Sequence, residues 1–146
     1  MRDLFNPVEV LPNVGEAVIL LVDDDESVRR SIHRFLTAHG FEVYEAADRA
    51  SALNEARMRH PQVMIVDLHL PSFSGIQIAR DVRADADLTT THLIAFSASI
   101  PDWDEELRMF DQVISKPAAG RVLLDAIASI LQKLASGGIS NPAARH

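Results

Sequence analysis

Cysteine is absent from this sequence, which excludes a disulfide framework and a thiolate metal site and fits a reducing compartment such as the cytoplasm. No apolar run exceeds about six residues, far short of the roughly 20 that span a bilayer. Met1 to Gly15 lacks the basic start and apolar core of a signal peptide. Basic residues are in deficit, with 14 Lys and Arg against 21 Asp and Glu for a net charge of −7. Direct nucleic-acid binding therefore has little electrostatic support. There is no glycine-rich phosphate loop, and the six histidines are scattered, so a histidine metal site is not expected.

What is present is apolar: 47% of the chain, enough for the core of one domain. Residues 1–16, with Pro7, Pro12 and Gly15, read as an N-terminal extension or linker, 17–135 as the folded domain, and 136–146 as a loose C-terminal tail. Within the domain, apolar strand-length runs alternate with helical patterns. Strands are expected at Ala17–Val22, Phe41–Glu45, Val63–Val66, His92–Phe96 and Gln112–Ser115. Helices are expected at Glu26–His39, Asp48–Arg59 and Ile76–Ala84, with a weaker one near Trp103–Phe110. A last helix carries Leu123, Ile127, Ile130, Leu131 and Leu134 on one stripe. Runs without alternation suit strands buried on both faces. The expected fold is α/β: an open, five-stranded parallel sheet with helices on both faces. Its ligand crevice lies at the carboxyl ends of the strands.

Polar residues gather at those ends: Asp23 and Asp24 after the first strand, Asp67 after the third, Ser97 after the fourth and Lys116 after the fifth. Carboxylates converging on one rim repel one another, and one lysine does not compensate them. Hard oxygen donors without Cys or a His cluster suit Mg2+, which takes a few carboxylates, waters and a phosphate oxygen. A carboxylate beside such a cation can act as the nucleophile toward a phosphoryl group. Taken singly, the same residues have plainer readings. Asp23 to Asp25 suit a helix N-terminus, Asp67 a turn before Pro71, and Lys116 a solvated lysine.

The stretches Leu20-Leu21-Val22-Asp23-Asp24-Asp25-Glu26-Ser27-Val28-Arg29, Val66-Asp67-Leu68-His69-Leu70-Pro71 with Gly75, Phe96-Ser97-Ala98 and Ser115-Lys116-Pro117 resemble the response-regulator receiver domain of two-component signalling. The resemblance covers roughly residues 17 to 135. It implies a flavodoxin-like (βα)5 fold with strand order 2-1-3-4-5, and a phosphoacceptor signalling domain, not an ordinary enzyme, that promotes its own phosphotransfer and dephosphorylation. Carried over by position, it implies that Asp67 is the phosphoacceptor and that Asp24 binds Mg2+ directly, with Asp23 acting through water. The His69 backbone carbonyl is a further ligand. Lys116 pairs with the phosphoryl group or the Asp67 carboxylate, and Ser97 moves to meet a phosphoryl oxygen. Pro117 follows a cis peptide bond. The His69 and Ser99 side chains, each two residues past a site residue, modulate phosphoryl lifetime.

Two departures from the family pattern stand out. Val113 occupies the position where many receivers carry Tyr or Phe, and it lacks the rotamer switch of a ring. The segment between Ser97 and Lys116 is short and acidic, so phosphorylation is expected to reorder it instead. Partners implied are a histidine kinase or histidine phosphotransfer protein upstream and an unknown protein downstream. With no room for an output domain after the last helix, the chain is read as a stand-alone regulator or an excised receiver. Asp23-Asp24-Asp25-Glu26-Ser27 loosely resembles a haloacid-dehalogenase phosphatase motif, but that family needs an acidic pair after the lysine and only Asp125 follows. A receiver-like interaction module independent of phosphorylation is the other alternative.

Overall fold

The computed structural model describes residues 17–70, 73–101 and 105–144, with residues 73 and 134–144 described by backbone alone. The expected N-terminal extension, Pro71, Trp103 and the side chain of Leu134 lie outside what is described.

Five parallel strands form the central sheet: β1 (Val18–Val22), β2 (Glu42–Ala46), β3 (Val63–Val66), β6 (His92–Ser97) and β7 (Gln112–Ser115). Their order is β2-β1-β3-β6-β7, the expected 2-1-3-4-5 once the two short strands of a separate ribbon are left out of the count. The three central strands carry apolar side chains on both faces because both faces are covered. Ile19, Leu21, Val63, Ile65, Ile94 and Phe96 meet α1 (Glu26–Ala38) and α4 (Gly120–Ala144). Leu20, Val22, Met64, Val66, Leu93 and Ala95 meet α2 (Arg49–Arg59) and α3 (Gly75–Ala84).

Local chemistry sets the helix ends. Asp25 caps α1 by accepting from the amides of Ser27 and Val28, and these bonds to Val28 and Ser27 hold its carboxyl below the usual range. Asp48 caps α2 by accepting from the Ser51 amide, and α2 ends at His60 in the left-handed region (φ 48°). Ser74 and Gln77 form a reciprocal capping box on α3. Gly40, with φ 96°, turns the chain after α1 where a Cβ would be strained.

Three details depart from expectation. The weak fourth helix is a 3-10 helix of five residues, Glu105–Met109, so four α-helices are present among the described residues. The turn after Asp67 contains a two-stranded antiparallel ribbon of β4 (His69–Leu70) and β5 (Phe73–Ser74). Buried Leu70 pins it to the core side. The backbone of α4 stays helical through Ala144, into the segment expected as a tail. A helix already nucleated by packing adds one hydrogen bond for each further residue it fixes, which carries it past the last apolar position.

Candidate functional site

Parallel register brings the strand ends together. Val22 pairs with Val66, so Asp23 and Asp67 leave adjacent strands side by side. Ser97 pairs with Ser115, which places Lys116 beside Ser97, and the Lys116 amide donates to the Ser97 carbonyl at 2.9 Å. Carboxylate oxygens of Asp23, Asp24 and Asp67 lie within 4.8 Å of one another. That donor set of hard oxygens on one rim fits a small divalent cation.

Asp23 is 5% exposed, an unusual place for a carboxylate. It is compensated by the Lys116 ammonium at 2.6 Å and by the Asp25 amide, which donates to its Oδ1 at 2.9 Å. Lys116 also reaches Asp67 Oδ2 at 3.4 Å and lies 5.3 Å from the Phe96 ring centroid. Burial works against this ammonium, but the bond to Asp23 and the charges of Asp23 and Asp67 prevail and raise its pKa above the lysine value. The Lys116–Pro117 peptide is cis.

The chain between Asp67 and α3 is tightly turned. Asp67 Oδ1 accepts from the His69 amide at 3.1 Å, and the Gly75 amide donates to the Leu68 carbonyl at 3.0 Å. A Cβ on Gly75 would stand 2.2 Å from the Asp67 carbonyl oxygen, so only glycine fits there. Ser97 is 1% exposed, and among the described residues its hydroxyl makes only long contacts, with the Ser99 amide at 3.4 Å and the Ser99 carbonyl at 3.5 Å. The His69 ring crosses the rim to bond the Ser99 carbonyl at 2.9 Å.

One partner was not anticipated from the sequence. Arg29 donates to the Asp23 carbonyl at 2.7 Å and to Glu45 at 2.7 Å, and His33 bonds the other Glu45 oxygen at 2.6 Å. Burial disfavours the Glu45 carboxylate, yet Arg29 and His33 together hold its pKa below the ordinary value. The available signal was positional: Arg29 lies one helical turn after the cap, Asp25, and its amide donates to the Asp25 carbonyl.

The family model for the response regulator receiver domain matches residues 19–128. The chain belongs to this family. The transcriptional regulatory protein CseB of Streptomyces avermitilis is 31% identical over 130 residues, covering 86% of this chain and 54% of that protein. The probable transcriptional regulator ycf27 of Porphyridium aerugineum is 30% identical over 124 residues, covering 84% of this chain and 51% of that protein. The receiver domain thus spans about half the length of the curated relatives it matches. Among solved structures, the chemotaxis response regulator CheY4 of Vibrio cholerae superposes with a TM-score of 0.72 at 26% identity, over 78% of this chain and 98% of that one.

In this receiver domain Val113 lies on the edge strand β7, pairs with Ala95 and is 40% exposed. The phosphatase alternative is not favoured. Asp125 is exposed and paired with Arg121 one turn away on α4, so no acidic pair follows Lys116 at the rim. No helix among the described residues is long and apolar enough to cross a membrane.

Proposed function

We propose that this receiver domain, a signalling module, accepts a phosphoryl group on Asp67 with the help of Mg2+ and so switches its binding to a protein partner. The observation that carries this reading is the triad of Asp23, Asp24 and Asp67 carboxylates with one ammonium, Lys116, bridging two of them. Asp23, Asp24 and Asp67, with the His69 carbonyl, would hold the cation. When bound, the cation offsets the negative charge of the incoming phosphoryl oxygens. Lys116 orients the Asp67 carboxylate and then pairs with the phosphoryl group. Ser97, buried with only long contacts, turns its hydroxyl to a phosphoryl oxygen. His69 and Ser99 flank this path and tune phosphoryl lifetime.

The donor is a histidine kinase or histidine phosphotransfer protein, and the downstream partner is a protein. The receiver unit is taken as residues 17–135. With Val113 in place of a ring, the segment 98–115 carries the change of state.

Acetyl phosphate tests the chemistry. The bond from the Asp67 oxygen to phosphorus forms as the P–O bond to the acetyl group breaks, and acetate leaves with the electron pair. Wild type is expected to gain a labile covalent phosphoryl group with Mg2+ and little without it, whereas Asp67→Asn gains none. Equal labelling of Asp67→Asn overturns the assignment.

A further inference from the structure

We propose that the His69 ring is a latch between the two loops that border the phosphoacceptor, holding Ser97 in its resting position and opposing the switch. This rests on the reading of Asp67 as phosphoacceptor and adds a positioning residue to it.

His69 begins β4 of the ribbon after β3, whereas Ser99 follows β6. The two loops are joined across the site by the bond of 2.9 Å from His69 Nε2 to the Ser99 carbonyl. A carbonyl only accepts, so Nε2 carries the proton, and the ring donates in its neutral or charged form alike. The ring's own backbone is anchored, since the His69 amide donates to Asp67 Oδ1 at 3.1 Å and His69 pairs with Ser74 in the ribbon. Ser74 in turn caps α3. The latch therefore ties the Ser99 backbone to a rigid element.

Ser99 also holds Ser97. Its amide donates to the Ser97 hydroxyl at 3.4 Å, and its carbonyl lies 3.5 Å from the same oxygen. Turning that buried hydroxyl toward a phosphoryl oxygen breaks both contacts and leaves the Ser99 amide to find another partner. The loop must then shift, and the shift pulls the carbonyl from His69. The latch belongs to one of two states, so its removal shifts the balance toward the other. Ser99 acts here through its backbone, not its hydroxyl.

The test is beryllofluoride binding with Mg2+ to wild type, His69→Leu, His69→Gln and Ser99→Ala, with amide exchange of residues 97–101 in the metal-free proteins as a second readout. Loss of one exposed hydrogen bond predicts binding about three- to tenfold tighter in His69→Leu, with faster exchange at the Ser99 amide. His69→Gln keeps a donor, and Ser99→Ala keeps the carbonyl. In the metal-free proteins both are expected to keep the wild-type exchange pattern over residues 97–101. Affinity in His69→Leu equal to or weaker than wild type overturns the latch, as does an equal gain in Ser99→Ala or unchanged exchange in His69→Leu. If wild type itself does not bind beryllofluoride, the phosphoacceptor reading falls and takes the latch with it. Those two failures are separate observations.

Discussion

Gly75 packs against the backbone of Asp67, and its missing side chain lets the chain return this closely to the end of β3. A Cβ there meets the Asp67 carbonyl oxygen at 2.2 Å and Val66 Cγ1 at 2.9 Å, one just past β3 and the other at its buried last residue. Neither is the free end of a flexible side chain, so the backbone itself must yield. Gly75→Ala is expected to cost about 2–3 kcal/mol in urea unfolding, the range for overpacking a tight site. It should also slow labelling by acetyl phosphate, because Asp67 shifts relative to Lys116. A stable, fully reactive Gly75→Ala protein would show that this close approach is dispensable. Gly75 was visible in the sequence only as the end of a motif; its reason is a contact with a backbone oxygen eight residues away.

The 3-10 helix Glu105–Met109 stands where an α-helix would cover the last strands, and Arg83 holds its far end. The Arg83 guanidinium, in the last turn of α3, donates to the Met109 carbonyl at 2.8 and 3.2 Å and to the Thr91 carbonyl at 2.7 Å, and reaches Asp111 at 3.4 Å. Asp111 in turn accepts from the Leu93 amide at 2.9 Å. One side chain thus ties α3 to the start of β6 and the start of β7. Arg80 adds an ion pair to Glu106. Removing the guanidinium strands two carbonyls, so Arg83→Met is expected to lose about 2 kcal/mol in urea unfolding. In wild type, amide exchange on adding beryllofluoride should change over residues 98–108 and stay flat at 109–111. Uniform change through 111, or none anywhere in 98–115, would sink the idea that this segment carries the signal from a fixed far end. The Trp103–Phe110 periodicity indicated a helix here, but Pro101 and the short span leave room for a single tighter element.

Charge is arranged so that the folded molecule tolerates a wide middle range of pH. Asp25, Asp48, Asp85, Asp111 and Glu45 all hold their carboxyls below ordinary values through bonds to amides, arginines and histidines. Groups lowered in this way stabilise the fold above their unfolded pKa, and that contribution fades as pH falls through the folded one. Lys116 is raised, so its contribution is full below 10.5 and fades as pH rises through its folded pKa. Urea midpoints should therefore be level around neutrality, fall below about pH 4.5 and fall again in strong alkali. Glu45→Gln should flatten part of the acid limb, because Arg29 and His33 then lose their charged partner. An acid limb unchanged in Glu45→Gln would remove this network from the account.

The alternation of buried strands and amphipathic helices, the acids at the strand ends and the capping role of Asp25 follow from local pattern, because period and side-chain type act over a few residues. Strand order and membership of the receiver family were legible through the motifs that the strands carry. The pairing of Lys116 with Asp67 was implied by those motifs too, but other contacts across the fold were not. Lys116 meets Asp23 at 2.6 Å across 93 residues, and His69 meets Ser99 across 30. Arg29, read only as part of a motif, supports Asp23 from within α1. Each depends on where packed layers set a side chain in space, and that is decided only when the sheet closes its register and both faces are covered.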